Sequence, residues 1–209
     1  MKYLHGKLIR QTLLGAAFLL AVAGGGGRAR VINAQQAPHE APPAAQNFLT
    51  GTYREKNSSD AEIGRKVLAA TAHLDEEERV RQGRALLRTL RSAPSFAIEQ
   101  YGTTFMLNYP GGVRIPYEAD GKARVMRATG GESVTVRAEQ ATGRLSIDLT
   151  WSGGERLRLV FERSHANGEL VITRTAGNRF TARPISIISE YERTSARATR
   201  TFDRAAGAQ

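Results

Sequence analysis

The chain has 209 residues, no cysteine, 41% hydrophobic and 24% charged residues. That balance suits one soluble domain and excludes a disordered chain, thiol catalysis and CxxC redox chemistry. The formal charge of +10 is unevenly placed: Lys2, Lys7, Arg10, Arg28 and Arg30 lie in the first 34 residues, where no acid occurs. This leaves 25 basic against 20 acidic side chains beyond them, a net of +5.

Residues 1–34 read as a signal peptide. A basic stretch from Met1 to Thr12 precedes an unbroken apolar run from Leu13 to Ala23, too short to cross a bilayer, which takes about 20 apolar residues. Ala21-Val22-Ala23 fits A-x-A cleavage, and Ala34 before Gln35-Gln36 is the second option, so the mature chain would begin at Gly24 or Gln35. Residues 35–46, with Pro38, Pro42 and Pro43 among alanines, have no apolar period and read as a linker.

A folded domain is expected over residues 47–203, followed by a short tail, 204–209. Asn47 to Glu55 alternates as a strand does. Two helices follow, near 60–73 and 75–92. Ser59-Asp60-Ala61-Glu62 has capping-box spacing ahead of Ile63, Val67 and Leu68. Asp75 is placed to cap the second helix, with Glu76, Glu77 and Glu78 in its first turn, Arg88 and Arg91 in its last, and Val80, Leu87 and Leu90 as its apolar stripe. From Ser95 the period changes to two, and glycine turns recur about every ten residues, among them Asp120-Gly121 and Asn167-Gly168. Leu145, Ile147, Leu149 and Trp151 share one strand face, and Leu157, Leu159 and Phe161 share the next. The alternation slips between Phe180 and Ile185, where Pro184 suggests a bulge. The expected fold is mostly β: about ten antiparallel strands in an up-and-down barrel, or a strongly curled sheet, with a two-helix insertion after the first strand.

This order resembles the intracellular fatty-acid-binding proteins, relatives of the lipocalins. Leu49-Thr50-Gly51-Thr52-Tyr53 is similar to the F-x-G-x-W strand that opens those proteins. The resemblance implies a ligand-binding barrel. In that family a late Arg-x-Tyr binds the ligand carboxylate; the corresponding stretch here is Ser189-Glu190-Tyr191, which lacks the arginine.

Three sets of residues are candidates for function. Beyond the linker the only histidines are His73 and His165; neither has a nucleophile or metal-ligand spacing, so no catalytic residue, metal or cofactor is expected. Arg81, Arg84, Arg88 and Arg91 recur at helical spacing and form either a face for an anionic membrane surface or a solvated face paired with acids such as Glu77. No aromatics interleave with them, which argues against nucleic acid. Arg127, Trp151 and Arg174 are expected at one rim of the barrel under the helix pair, where the two arginines would hold the head group of a small anionic amphiphile. The alternative is a barrel packed solid by large side chains such as Phe96, Phe105, Tyr109, Trp151, Phe161 and Phe180, serving as an envelope interaction or scaffold protein.

Overall fold

The computed structural model describes residues 48–199, apart from 129–130 and 165–167. The signal segment, the linker, the tail and His165 therefore lie outside the described residues. Ten strands and two helices follow one another as β1 (Gly51–Glu55), α1 (Asp60–Thr71), α2 (Glu76–Leu90), β2 (Ser95–Tyr101), β3 (Thr104–Tyr109), β4 (Val113–Glu118), β5 (Asp120–Arg127), β6 (Ser133–Ala141), β7 (Arg144–Trp151), β8 (Arg156–Arg163), β9 (Leu170–Gly177) and β10 (Ile185–Ser195). All pairings are antiparallel.

The strands form one sheet in the order β4-β3-β2-β1-β10-β9-β8-β7-β6-β5. The first and last strands pair, so the sheet curls into a nearly closed barrel whose two edges, β4 and β5, are joined through Ala119 alone. There the Ala119 amide donates to the Thr103 carbonyl at 2.8 Å, and Gln140 N–H donates to the Ala119 carbonyl at 3.3 Å. These bonds partly satisfy an edge that would otherwise leave its backbone groups unpaired.

Alternation places the core. Leu145, Ile147 and Leu149 on β7 and Leu170, Ile172 and Ala176 on β9 are buried, while their sequence neighbours face outward or sit half-exposed. Phe96 is the hub of an aromatic cluster: its ring centroid is 5.6 Å from Tyr53, 5.0 Å from Tyr191 and 6.5 Å from Phe161, spacings at which ring pairs attract beyond simple burial.

The helix pair packs over one end of the barrel, where Lys66 Nζ donates to the Ser186 carbonyl at 2.8 Å. Asp75 caps α2 as the sequence suggests, its carboxylate accepting from Glu78 N–H at 2.9 Å. Three local expectations are corrected. Ser59 makes no capping bond to α1; its hydroxyl is turned inward to Glu55 and Ser189. The buried stripe of α2 is Gln82, Leu86 and Leu90, while Val80 and Leu87 are exposed. Gln82 tolerates burial because its amide donates to Glu78 at 2.7 Å and accepts from Asn178 at 2.9 Å. Phe180 lies on no strand. Asn178 to Pro184 is a loop held by Asn178–Thr181 bonds, with the Arg179 guanidinium 4.6 Å above the Phe180 ring, and β10 starts only at Ile185.

Asp120-Gly121 is no hairpin turn either. It opens β5, where the register with β6 shifts between Asp120 and Ala123. Gly121 takes a φ of +75° there, which glycine accommodates without strain. Asp120 accepts from Lys122 N–H and both terminal nitrogens of Arg124. The Arg124 hydrogen bond, helped by the Lys122 amide, holds its carboxyl well below the usual range.

Candidate functional site

The barrel is packed at the end far from the helices, where Phe105, Leu107, Leu145 and Ile147 are wholly buried. Toward the helices the side chains stop short of one another and leave a cavity of about 350 Å³. Its body is apolar, walled by Phe96, Ile115, Leu149, Leu157, Phe161 and Ile172. Its border at the helix end is formed by Arg88 and Thr89 of α2, the link from Arg91 to Pro94, and Pro110 between β3 and β4. Its size falls within the range of small-molecule sites.

Arg174 is the one charged side chain set in the wall itself. The alternation of β9 turns it inward with Leu170, Ile172 and Ala176, and only 5% of it is exposed. Its terminal nitrogens donate to the Ser189 hydroxyl and, at 3.5 Å, to the Tyr191 hydroxyl. Its Nε is buried with no partner, and no carboxylate pairs with it among the described residues. Glu55 is reached only through hydroxyls: Ser189 meets Ser59 at 3.1 Å, and Ser59 meets Glu55 at 3.4 Å. Tyr191 in turn donates to the Ala93 carbonyl at 3.1 Å. The guanidinium is therefore tied to both ends of the helix pair by neutral groups. A buried cation without its counter-charge costs several kcal/mol, and an anion in the cavity would offset that cost.

Ser189 stands where the arginine of Arg-x-Tyr would be, and Arg174 reaches the Tyr191 hydroxyl from the neighbouring strand instead.

The other expected rim residues do not converge with it. Arg127 is exposed at the end of edge strand β5, opposite Ser133. Val125, which shares its parity, is 71% exposed, and Met126 is the residue that packs on the core. The register shift at Asp120 and the free edge of β5 reverse the face that alternation alone would assign. Trp151 keeps its expected face and packs partly on the core opposite Val134, but it lies one inward position beyond Leu149 and does not wall the cavity.

Arg81, Arg84, Arg88 and Arg91 are all exposed. Arg81 pairs with Glu78, and Arg91 lies 3.7 Å from Asp60. Arg88 and Arg91 also border the cavity, a role that helical spacing by itself does not reveal. His73 is exposed just after α1. No three His, Asp or Glu side chains gather as metal ligands among the described residues.

Two tyrosines join the site without having been singled out as ligand-binding residues. Tyr109 ends the inward row Phe105-Leu107-Tyr109 on β3, and Tyr117 ends Val113-Ile115-Tyr117 on β4; both line the cavity. Their position at the end of clean alternating rows was the available signal.

No protein-family model matches the chain, and no curated protein matches it. Solved structures do. A luciferase domain from the dinoflagellate Lingulodinium polyedrum aligns with a TM-score of 0.50 at 10% identity, covering 72% of this chain and 43% of that one. The chain thus spans less than half of that domain. The Caenorhabditis elegans lipid binding protein 8 aligns at 0.46 with 13% identity, covering 73% and 99% of the two chains. The fatty-acid-binding protein of Manduca sexta aligns at 0.43 with 15% identity, covering 69% and 98%. The barrel plan is shared with the luciferase domain. Identities this low speak to fold and not to ligand.

Proposed function

We propose that the chain is an exported, non-enzymatic module that takes a small anionic amphiphile into the barrel, its head group at Arg174 and its apolar part against Phe96, Leu149 and Phe161. The supporting observation is the buried Arg174, which faces an apolar cavity without a carboxylate partner. The packed-scaffold alternative requires a filled interior and accounts for neither the cavity nor the cation.

Arg174→Met tests the reading because it separates stability from binding. Replacing a buried ion pair by apolar side chains is often neutral or stabilising, and Arg174 has no carboxylate partner to strand, so the unliganded variant should unfold at an equal or higher urea concentration. Its affinity for decanoate, followed by Trp151 emission or calorimetry, should fall at least tenfold. A charge-assisted hydrogen bond is worth about 1.5–3 kcal/mol, and each 1.4 kcal/mol is a factor of ten. Arg127→Met, on the outer surface, should bind as the parent does. Unchanged affinity in Arg174→Met, or no binding of decanoate or of any hydroxydecanoate by the parent protein, would hand the function to the scaffold alternative. The export half of the reading is checked on protein recovered outside the inner membrane: its first residue should be Gly24 or Gln35, and an intact Met1 there would count against it.

We further infer that the helix pair meets an anionic membrane surface. Supporting this, Leu68, Val80 and Leu87 are 63%, 45% and 39% exposed. Gly83, between the latter two, faces Val67 of α1, so these apolar side chains flank the junction of the helices, with Arg84, Arg88 and Arg91 alongside. Flotation should recover the protein with vesicles containing anionic lipid and not with neutral ones, and rising salt should weaken the association. Changing Arg84, Arg88 and Arg91 to Gln should abolish it with the fold intact. Equal recovery with neutral vesicles would leave the face merely solvated.

A further inference from the structure

The cavity holds more polar chemistry than one head group requires. Tyr109 and Tyr117 both present their side chains to it, and among the described residues neither phenol has a hydrogen-bond partner. Tyr109 is half-buried, while Tyr117 is 5% exposed. They extend from the guanidinium: Tyr109 is within electrostatic reach of Arg174 and Tyr191, and Tyr117 of Tyr109. Burial pushes both phenols upward from their ordinary value, so at neutral pH each is an O–H group able to donate and to accept.

An unsubstituted alkyl tail laid against these hydroxyls would remove their water and return no hydrogen bond. A buried polar group left unsatisfied in this way weakens the complex. Size narrows the ligand further. A cavity of about 350 Å³ lies at the lower end of the range of small-molecule sites, which favours a compact acid.

We propose that the ligand is a medium-length carboxylic acid carrying a second oxygen, a hydroxyl or oxo group, on its chain, the carboxylate at Arg174 and the second oxygen between Tyr109 and Tyr117. This rests on the ligand-binding reading above and makes the two tyrosines the residues that set specificity. The site then selects by a hydrogen-bonding group that the plain acid lacks, the kind of difference a polar pocket discriminates far better than an added methylene.

The test compares decanoate with monohydroxydecanoates that differ only in where the hydroxyl sits, each titrated into the full chain by calorimetry. At least one hydroxy acid should bind the parent protein tenfold or more tighter than decanoate. Tyr109→Phe with Tyr117→Phe should erase that preference by weakening the hydroxy acid, leaving decanoate binding equal or improved. Single variants and the thermal midpoint establish that the fold survives. If decanoate and every hydroxy acid bind alike, or the preference persists in the double variant, the assignment of a second oxygen fails while the ligand-binding reading stands. If no acid binds, both fall together.

Discussion

Alkaline solution should unfold this protein sharply. Burial raises the phenols of Tyr53, Tyr117 and Tyr191 above their ordinary value of 10.0, against the opposing pull of Arg193 on Tyr53 and Arg174 on Tyr191. All three are at most 5% exposed. An acid whose folded pKa is raised contributes stability that is intact below the unfolded pKa and is lost as pH climbs toward the folded one. Below about pH 9 the phenols are neutral in both states, and stability should hardly depend on them. Above about pH 10 the unfolded chain releases protons that the folded chain retains, at about 1.4 kcal/mol per phenol per pH unit. Each phenol that the fold keeps protonated adds to this slope, so stability should fall more steeply as pH rises above about 10. Urea unfolding from about pH 8 to about pH 11, with phenolate absorbance recorded in parallel, reads this slope. Phenols that ionise near their ordinary value while the barrel stays folded would show that the interior does not exclude water as described.

The second large effect is at the seam between the first and last strands. A methyl group on Gly51 would sit 2.6 Å from Arg193 Nε and 2.8 Å from the Ser195 carbonyl oxygen. The side chain can swing away; the backbone oxygen belongs to β10 and cannot move without opening the pairing that closes the barrel. Overpacking of this kind typically costs 1–3 kcal/mol, and Gly51→Ala is expected at about 3 because strand pairing is disturbed as well. Gly83→Ala is the counterpart. Its added methyl would meet only Val67 Cγ1, at 3.8 Å, and alanine is favoured over glycine in a helix by about 1 kcal/mol. The two variants should therefore shift the urea midpoint in opposite directions. A neutral Gly51→Ala would mean the seam is looser than the hydrogen-bonded register implies.

The strand count, the helix pair and the wall of the cavity were legible because each rests on a period enforced from both sides. Arg174 was found by its parity with Leu170 and Ile172, on a strand paired along both edges. Arg127 was misplaced by the same reasoning because β5 is paired along one edge only and begins with a register shift, so nothing holds its alternation to the core. Gln82 and Phe180 defeated composition in opposite ways: a polar residue is buried through two amide hydrogen bonds, and an aromatic one is left half-exposed in a loop under an arginine. Ser59 was misread because its hydroxyl has a tertiary partner in Ser189, 130 residues away, which no local spacing could announce. Tyr109 was legible as an inward side chain and Tyr117 was not singled out, and whether a side chain fills a barrel or borders a void depends on the residues opposite it.

The closing seam also fixes where the chain enters and leaves. Thr52 binds the Arg197 carbonyl, the Thr199 hydroxyl and the Thr199 amide, each at 2.9 Å, so the two ends of the described chain meet at the pole opposite the helices. The cavity bordered by α2 therefore lies at the opposite pole from both ends of the described chain, so a pull applied at those ends acts on the β1–β10 seam and not on the helix pair.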